Sequence, residues 1–532
     1  MGRAITGWFL LVLVVMVTQA VAVWPAVAQD TPAPFGAASD TILAWGSNFF
    51  GELGNGTTTN SSTPVAVSLP AGTAAVAIAA GDAHSVALTA AGTVLAWGDN
   101  SHGQLGDGTG ADSLTPVGVS LPAGVTASAV AAGRDHSVAL TSAGTVLAWG
   151  GNSFGQLGDG TVADRSTPVA VALPPSTTVT AVAAGATHSV ALTSAGTVLA
   201  WGGNSFGQLG DGTVADRSTP VAVALPPSTT VTAVAAGATH SVALTSAGTV
   251  LAWGRNFFGQ LGDGTVVDRS TPTVVSLPAG VTASAVAAGR IHSLALTTAG
   301  GVLAWGNNTF GQLGDGTTTT SSTPVSVTLP ASTTITAISA RDSQHSVAMT
   351  SAGAALSWGR NLRGQLGDGT TTNRSTPVNV RLPTGVTVTA IAAGDDHSLA
   401  LTAPPTSTTT LQVTPANPTA DQDITLTATV TCNVDTPTGT ITFRTNGETL
   451  ATVPLTTSGT ATHTTTLPTG THTLTAHHTS TNTCPNSQSP PTTITINPDL
   501  PITGPTLTTT TGAATLSILA GAILIYAARR LA

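Results

Sequence analysis

The residues with most chemistry to offer recur at a fixed interval. His-Ser occurs at His84, His136, His188, His240, His292, His345 and His397, in steps of 52 or 53 residues. Seven imidazoles suggest a metal centre. Copies on seven successive units are spread around any closed array, however, whereas zinc needs its nitrogens within about 2.0–2.1 Å of one point. The spacing points instead to one hydrogen bond repeated in every unit. The Asp-Gly pairs, such as Asp159-Gly160, lack the alternating acidic ligands of a calcium loop and read as turns. Acid–base chemistry is poorly supplied. Glu occurs only at Glu52 and Glu448. The chain has no His-Glu-x-x-His and no phosphate-binding loop. These residues imply no metal, no cofactor and no catalytic constellation.

The elements that position them follow the same period. Trp-Gly occurs at Trp45, Trp97, Trp149, Trp201, Trp253, Trp305 and Trp358, and residues 149–200 and 201–252 are identical. Each unit reads as four short strands. They are Thr-Pro-Val-Ala-Val, Val-Thr-Ala-Val-Ala-Ala, and a His-Ser-Val-Ala-Leu-Thr/Thr-Val-Leu-Ala-Trp hairpin across Ser-Ala-Gly. Four strands in about 50 residues is the signature of a β-propeller blade. A lone four-stranded sheet cannot bury both faces, so the units must stack, with one Trp filling each interface. The first unit begins at its last strand, Thr41 to Trp45, and the last ends at its third, His397 to Thr402. One N-terminal strand is therefore expected to complete the last blade and leave no edge.

The motifs resemble the regulator-of-chromosome-condensation repeat, whose hallmark stands here as Trp149-Gly150-Gly151-Asn152-Ser153-Phe154-Gly155-Gln156-Leu157-Gly158. The resemblance covers residues 41–402 and implies a seven-bladed propeller. Two units depart from it. The first has Glu52 and Asn55 in place of Gln and Asp. The sixth has Ser339-Ala340-Arg341 in place of Ala-Ala-Gly and one extra residue before His345, so its loop should bulge. Chromosome-associated members act on a nuclear GTPase. An actinomycete propeller of the family inhibits β-lactamases.

What varies between units is more informative than what repeats. The loop before His and the residue after Trp-Gly lie at one end of an antiparallel hairpin. The charged residues there include Asp82, Asp99, Arg134, Asp135, Arg255, Arg290, Arg341, Arg360, Asp395 and Asp396, whereas the identical units carry small uncharged residues. The residue before Gly-Gln-Leu-Gly also varies, as Phe50, His102, Phe154, Phe206, Phe258, Phe310 and Arg363. Varied loops on a rigid scaffold are where binding sites reside. The candidate binding face is Asp82, Arg134, Asp135, Arg255, Arg290, Arg360, Asp395 and Asp396.

The two ends read as an address. Residues 1–28 resemble a secretory signal, with Arg3, an apolar stretch from Trp8 to Val17, and Ala26-Val27-Ala28 at the cleavage point. Leu500-Pro501-Ile502-Thr503-Gly504 precedes an apolar run over 513–528 and Arg529-Arg530. This resembles a sortase sorting signal, which implies attack on the Thr503 carbonyl and transfer to peptidoglycan. Processing removes Arg3, Arg529 and Arg530 and takes the net charge from −9 to −12. Such a surface repels phosphate backbones, so nucleic acid is not an expected partner. Between propeller and tail, a Pro/Thr linker over 403–410 leads to alternating strands over 411–497, expected to form an Ig-like β-sandwich. Cys432 and Cys484 are the only cysteines. Outside the cell they should pair.

The expected fold is thus all-β: a seven-bladed propeller, an Ig-like sandwich and a C-terminal transmembrane sorting helix. The expected function is that of a secreted, cell-wall-anchored surface protein of a Gram-positive bacterium, its propeller binding an extracellular protein or glycan. A secreted inhibitor of an enzyme such as a β-lactamase is the alternative. A polysaccharide-degrading propeller is a third reading, short of candidate acids.

Overall fold

The computed structural model describes residues 41–498, apart from Asp342 and Thr483. The signal, sorting pentapeptide and apolar run expected at the ends lie outside the described residues. The chain divides into two compact units, and the larger contains seven four-stranded antiparallel sheets. In blade 1 the strands run from the axis outward as Ala75–Ala80, His84–Thr89, Val94–Gly98 and Ser113–Gly118. Blades 2 to 6 repeat this order, and the inner strands of successive blades touch one another around the ring.

Both faces of the middle strands are apolar, and sequences such as HSVALT and VLAWG are wholly buried. Each core therefore lies between blades. Ala129, Ala131, Val138 and Leu140 of blade 2 meet Val182, Ala184, Leu199 and Trp201 of blade 3. Small Ala side chains suit the inner strands, where the wedge between sheets is narrow. Trp fills the wider gap further out and is fully buried in all seven blades.

Ring closure differs from the expectation. Blade 7 comprises Val388–Ala393, His397–Thr402, Ile42–Gly46 and Ser61–Ala66, so two N-terminal strands close it, not one. The Thr-Pro-Val segment pairs with the Trp strand before it and forms the outermost strand of the same blade. The reason is proline, which has no N–H for a ladder and is tolerated at a sheet edge.

The second unit is a sandwich. One sheet pairs Ser407–Thr414, Ile424–Cys432 and Thr460–Thr465. The other centres on Gly439–Thr445 and Gly470–Ser480, flanked by Glu448–Pro454, Ser487–Gln488 and Thr492–Ile496. Leu426, Val430, Ile441, Phe443, Leu474 and Ile494 form its core. The first strand begins at Ser407, so part of the expected linker is strand. Cys432 and Cys484 are disulfide-bonded, with Cα atoms 5.9 Å apart.

Candidate binding face

The repeated histidines are spent inside. His136 Nε2 lies 2.9 Å from Ser189 Oγ on the next blade, and the same bond joins all seven interfaces, ending with His397 to Ser85. Each serine hydroxyl already donates its proton to a backbone carbonyl, as Ser137 does to Gln104 at 2.9 Å. The imidazole must then be the donor, which fixes the neutral Nε2–H tautomer. Trp149 Nε1–H donates to the same Gln104 carbonyl, also at 2.9 Å. Burial pulls every one of these imidazoles down to a pKa of about 3 to 4. At His136 the neighbouring His84, His188 and Arg341 add to burial. Each Nδ1 is buried and makes no hydrogen bond. A glycine precedes the loop because a Cβ there, at Gly133 for example, would collide with the His136 ring.

The hairpin register places the face. His188 pairs with Gly202, and His240 with Gly254, so the pre-His loops and the post-Trp loops share one end of the ring. The pre-His loops surround the axial mouth. Its charges are drawn together as pairs. Arg134 Nε sits 3.5 Å from Asp82 and 3.6 Å from Asp135, whose pKa is raised by burial. Arg290 reaches Asp395 at 3.2 Å, and Arg360 meets Asp396 at 2.5 Å. The Asp395 N–H donates to the Gly81 carbonyl, so the acidic loops of blades 7 and 1 are adjacent. Arg255 lies apart from these pairs, stacked on Phe206 at 4.7 Å.

The sixth loop does more than bulge. Arg341 is buried, and its Nη1 donates to the Ala132 carbonyl at 2.5 Å. Ala132 ends the inner strand of blade 2, three blades away around the ring, so this side chain crosses the axis. Its crossing was not legible in the sequence. The lost glycine and the inserted residue marked only an irregular loop.

The post-Trp loop is built around one asparagine. Asn152 Nδ2 donates to Asp159, Thr161 and the Ala163 carbonyl, while its Oδ1 accepts from Leu157 N–H. Asp159 is gripped by the Arg165 guanidinium at 2.8 Å. The Asp-Gly segments are thus turn chemistry. Gln156 Oε1 accepts from Phe154 N–H at 2.9 Å, which leaves the aromatic ring pointing outward. Glu52 keeps that acceptor role, taking Phe50 N–H at 2.9 Å and Ser47 Oγ–H at 3.1 Å, and burial raises its pKa. At the fifth position of this aromatic circle, counting from Phe154, the pattern ends in Arg363, which stacks on Phe49 at 4.8 Å.

A ring of four-stranded blades in which the first two strands complete the last blade, with its varied loops on one face, is a seven-bladed β-propeller. Residues 35–341 match the RCC1-like domain, residues 352–401 the regulator of chromosome condensation (RCC1) repeat, and residues 409–497 the bacterial Ig-like domain (group 3). The chain belongs to the RCC1-like propeller family, followed here by an Ig-like domain. It is 36% identical to the ultraviolet-B receptor UVR8 of Arabidopsis thaliana over 52% of this chain and 62% of that one. It is 32% identical to the E3 ubiquitin-protein ligase HERC2 of Homo sapiens over 68% of this chain but 8% of that one. The chain thus spans less than two thirds of either relative. Prp20p from Saccharomyces cerevisiae, studied for its binding to Gsp1p and histones, superposes with a TM-score of 0.60 at 25% identity, covering 69% of this chain and 92% of that one.

Proposed function

We propose that this protein is a non-enzymatic binding propeller displayed on the cell wall of a Gram-positive bacterium. The observation that supports this reading is the contrast within the post-Trp and pre-His loops. Their backbone bonds repeat from blade to blade, while their outward side chains differ and gather all the mouth charges on one face. Relatives in the family include a receptor and a protein studied for binding Gsp1p and histones. Here the partner is an extracellular protein or glycan, engaged through Asp82, Arg134, Asp135, Arg255, Arg290, Arg360, Asp395 and Asp396. The carboxylates of this face are held by arginines or buried, which leaves no pair poised for acid–base work.

The mature chain, attached to beads through its C-terminus, should retain a component of host or bacterial envelope extracts. A variant with alanine at those eight positions should lose it, and binding should weaken as salt rises. Equal retention by both proteins would refute the assignment of the face. Display is tested separately. Thr503→Ala should move the protein from the wall fraction to membrane or medium. Complete extraction of the wild type by detergent, without wall digestion, would refute anchoring.

A further inference from the structure

Every phenylalanine of the described propeller lies in the post-Trp loops. They are Phe49, Phe50, Phe154, Phe206, Phe257, Phe258 and Phe310. The blade cores use none, being built of Trp, Leu, Val, Ile and Ala. Two blades carry an additional Phe one residue earlier, where the repeats hold Ser101, Ser153, Ser205 and Thr309. These are Phe49, which is 53% exposed, and Phe257, which is 65% exposed. Leaving such rings in water forfeits the free energy that burial would return, so their accumulation on one face marks a contact surface.

The same two places hold unusual arginines. Arg363 stacks on Phe49, and Arg255 on Phe206 beside the edge-to-face pair Phe257–Phe258. Neither guanidinium has a carboxylate within 4.0 Å among the described residues, unlike Arg134, Arg290 and Arg360 at the mouth. Leu362, one residue before Arg363, is 54% exposed. Each patch is thus an apolar platform with a guanidinium lying over one of its rings. A stacked guanidinium keeps its in-plane donors free for a carboxylate, and the ring below limits its hydration. The patches stand on blades 3–4 and 6–7, on either side of the mouth.

We propose that these two Phe–Arg platforms are the principal anchors of the binding face, with the paired charges of the mouth contributing between them, and that they take a protein segment presenting carboxylates next to apolar side chains. The inference rests on the binding reading above and names its partner chemistry. It follows from charge complementarity at the platforms themselves: Arg255 and Arg363 each lie over an apolar ring with no carboxylate within 4.0 Å among the described residues, so the complementary group is an anion flanked by hydrocarbon. Arginine and aromatic anchors surrounded by water-excluding neighbours are the usual energetic centres of protein interfaces.

The probe is a soluble peptide in which Glu and Leu alternate, compared with its Gln and Lys counterparts, titrated against the full chain by fluorescence anisotropy. The Glu peptide should bind about tenfold more tightly than the Gln peptide, the difference expected for charge-assisted bonds. The Lys peptide should bind least. Arg255→Ala with Arg363→Ala should abolish the preference for Glu over Gln. Phe49→Ala with Phe257→Ala should weaken both peptides by a similar factor. Arg290→Ala with Arg360→Ala at the mouth should weaken both peptides less than the platform variants do and keep the preference for Glu over Gln. Failure of the Glu peptide to bind, equal binding of the Glu and Gln peptides, or indifference to the double Arg variant would overturn the proposal. If the mouth variant loses the peptide while the platform variants keep it, the binding face stands and the platforms do not.

Discussion

At the blade interfaces seven His–Ser bonds repeat at 2.7–2.9 Å, whereas at the axial mouth successive blades offer Asp82, Arg134, Ala186, Ala238, Arg290, Arg341 and Asp395. The two regions lie within a few residues of each other on the same loops. The difference between them separates what holds the ring from what the ring presents. A bond that ties each blade to the next is under the same geometric demand seven times, so its residues cannot drift independently. A loop tip that touches water is under no such demand, and substitutions there cost little.

Acid should break this contrast most forcefully. A buried imidazole whose folded pKa is about 3 to 4, against an ordinary 6.5, contributes stability that is fully present above pH 6.5 and is lost as the pH falls toward the folded values. At pH 5 each histidine forfeits roughly 2 kcal/mol, and seven together forfeit on the order of 10 kcal/mol, comparable to the whole stability of a domain. An imidazolium here would also hold an Nδ1–H with no acceptor. Loss of Trp fluorescence and β-sheet circular dichroism between pH 6 and 4 should therefore be steep and linked to uptake of several protons. A shallow, single-proton transition would show that the belt does not govern stability.

Single interior changes come next. His188→Ala and His240→Ala should each cost about 3 kcal/mol, through the cavity and the stranded serine. Their values should agree closely because both sit in identical repeats. Denaturant titration checks both numbers. Arg341→Ala sharpens the comparison, since this residue carries loop variation into the interior. Its charge helps push His84 and His136 down. Removing it should raise their folded pKa values and narrow the stability gap between pH 7 and pH 5. A gap that widens would contradict the electrostatic account. The smallest effect belongs to the mouth. Arg134→Ala removes an exposed pair at 3.5 Å and should alter stability by no more than about 0.5 kcal/mol.

The period of the His-Ser and Trp-Gly motifs alone determined the blade count, the buried Trp and the structural use of the histidines, because a residue demanded once per interface must recur once per blade. The two cysteines and the alternating Thr-rich strands likewise announced a disulfide-bonded sandwich. The count of closing strands is not readable locally, because Thr-Pro-Val has the same pattern whether it opens a blade or ends one. Only the register with the Trp strand decides that. The mouth charges were legible as charges, but not as the pairs Arg290–Asp395 and Arg360–Asp396, nor was the reach of Arg341 to Ala132. Those contacts join residues 36 to 209 positions apart. No spacing rule within a repeat encodes them. Closure of the ring brings them together, and side-chain length then determines which partners meet.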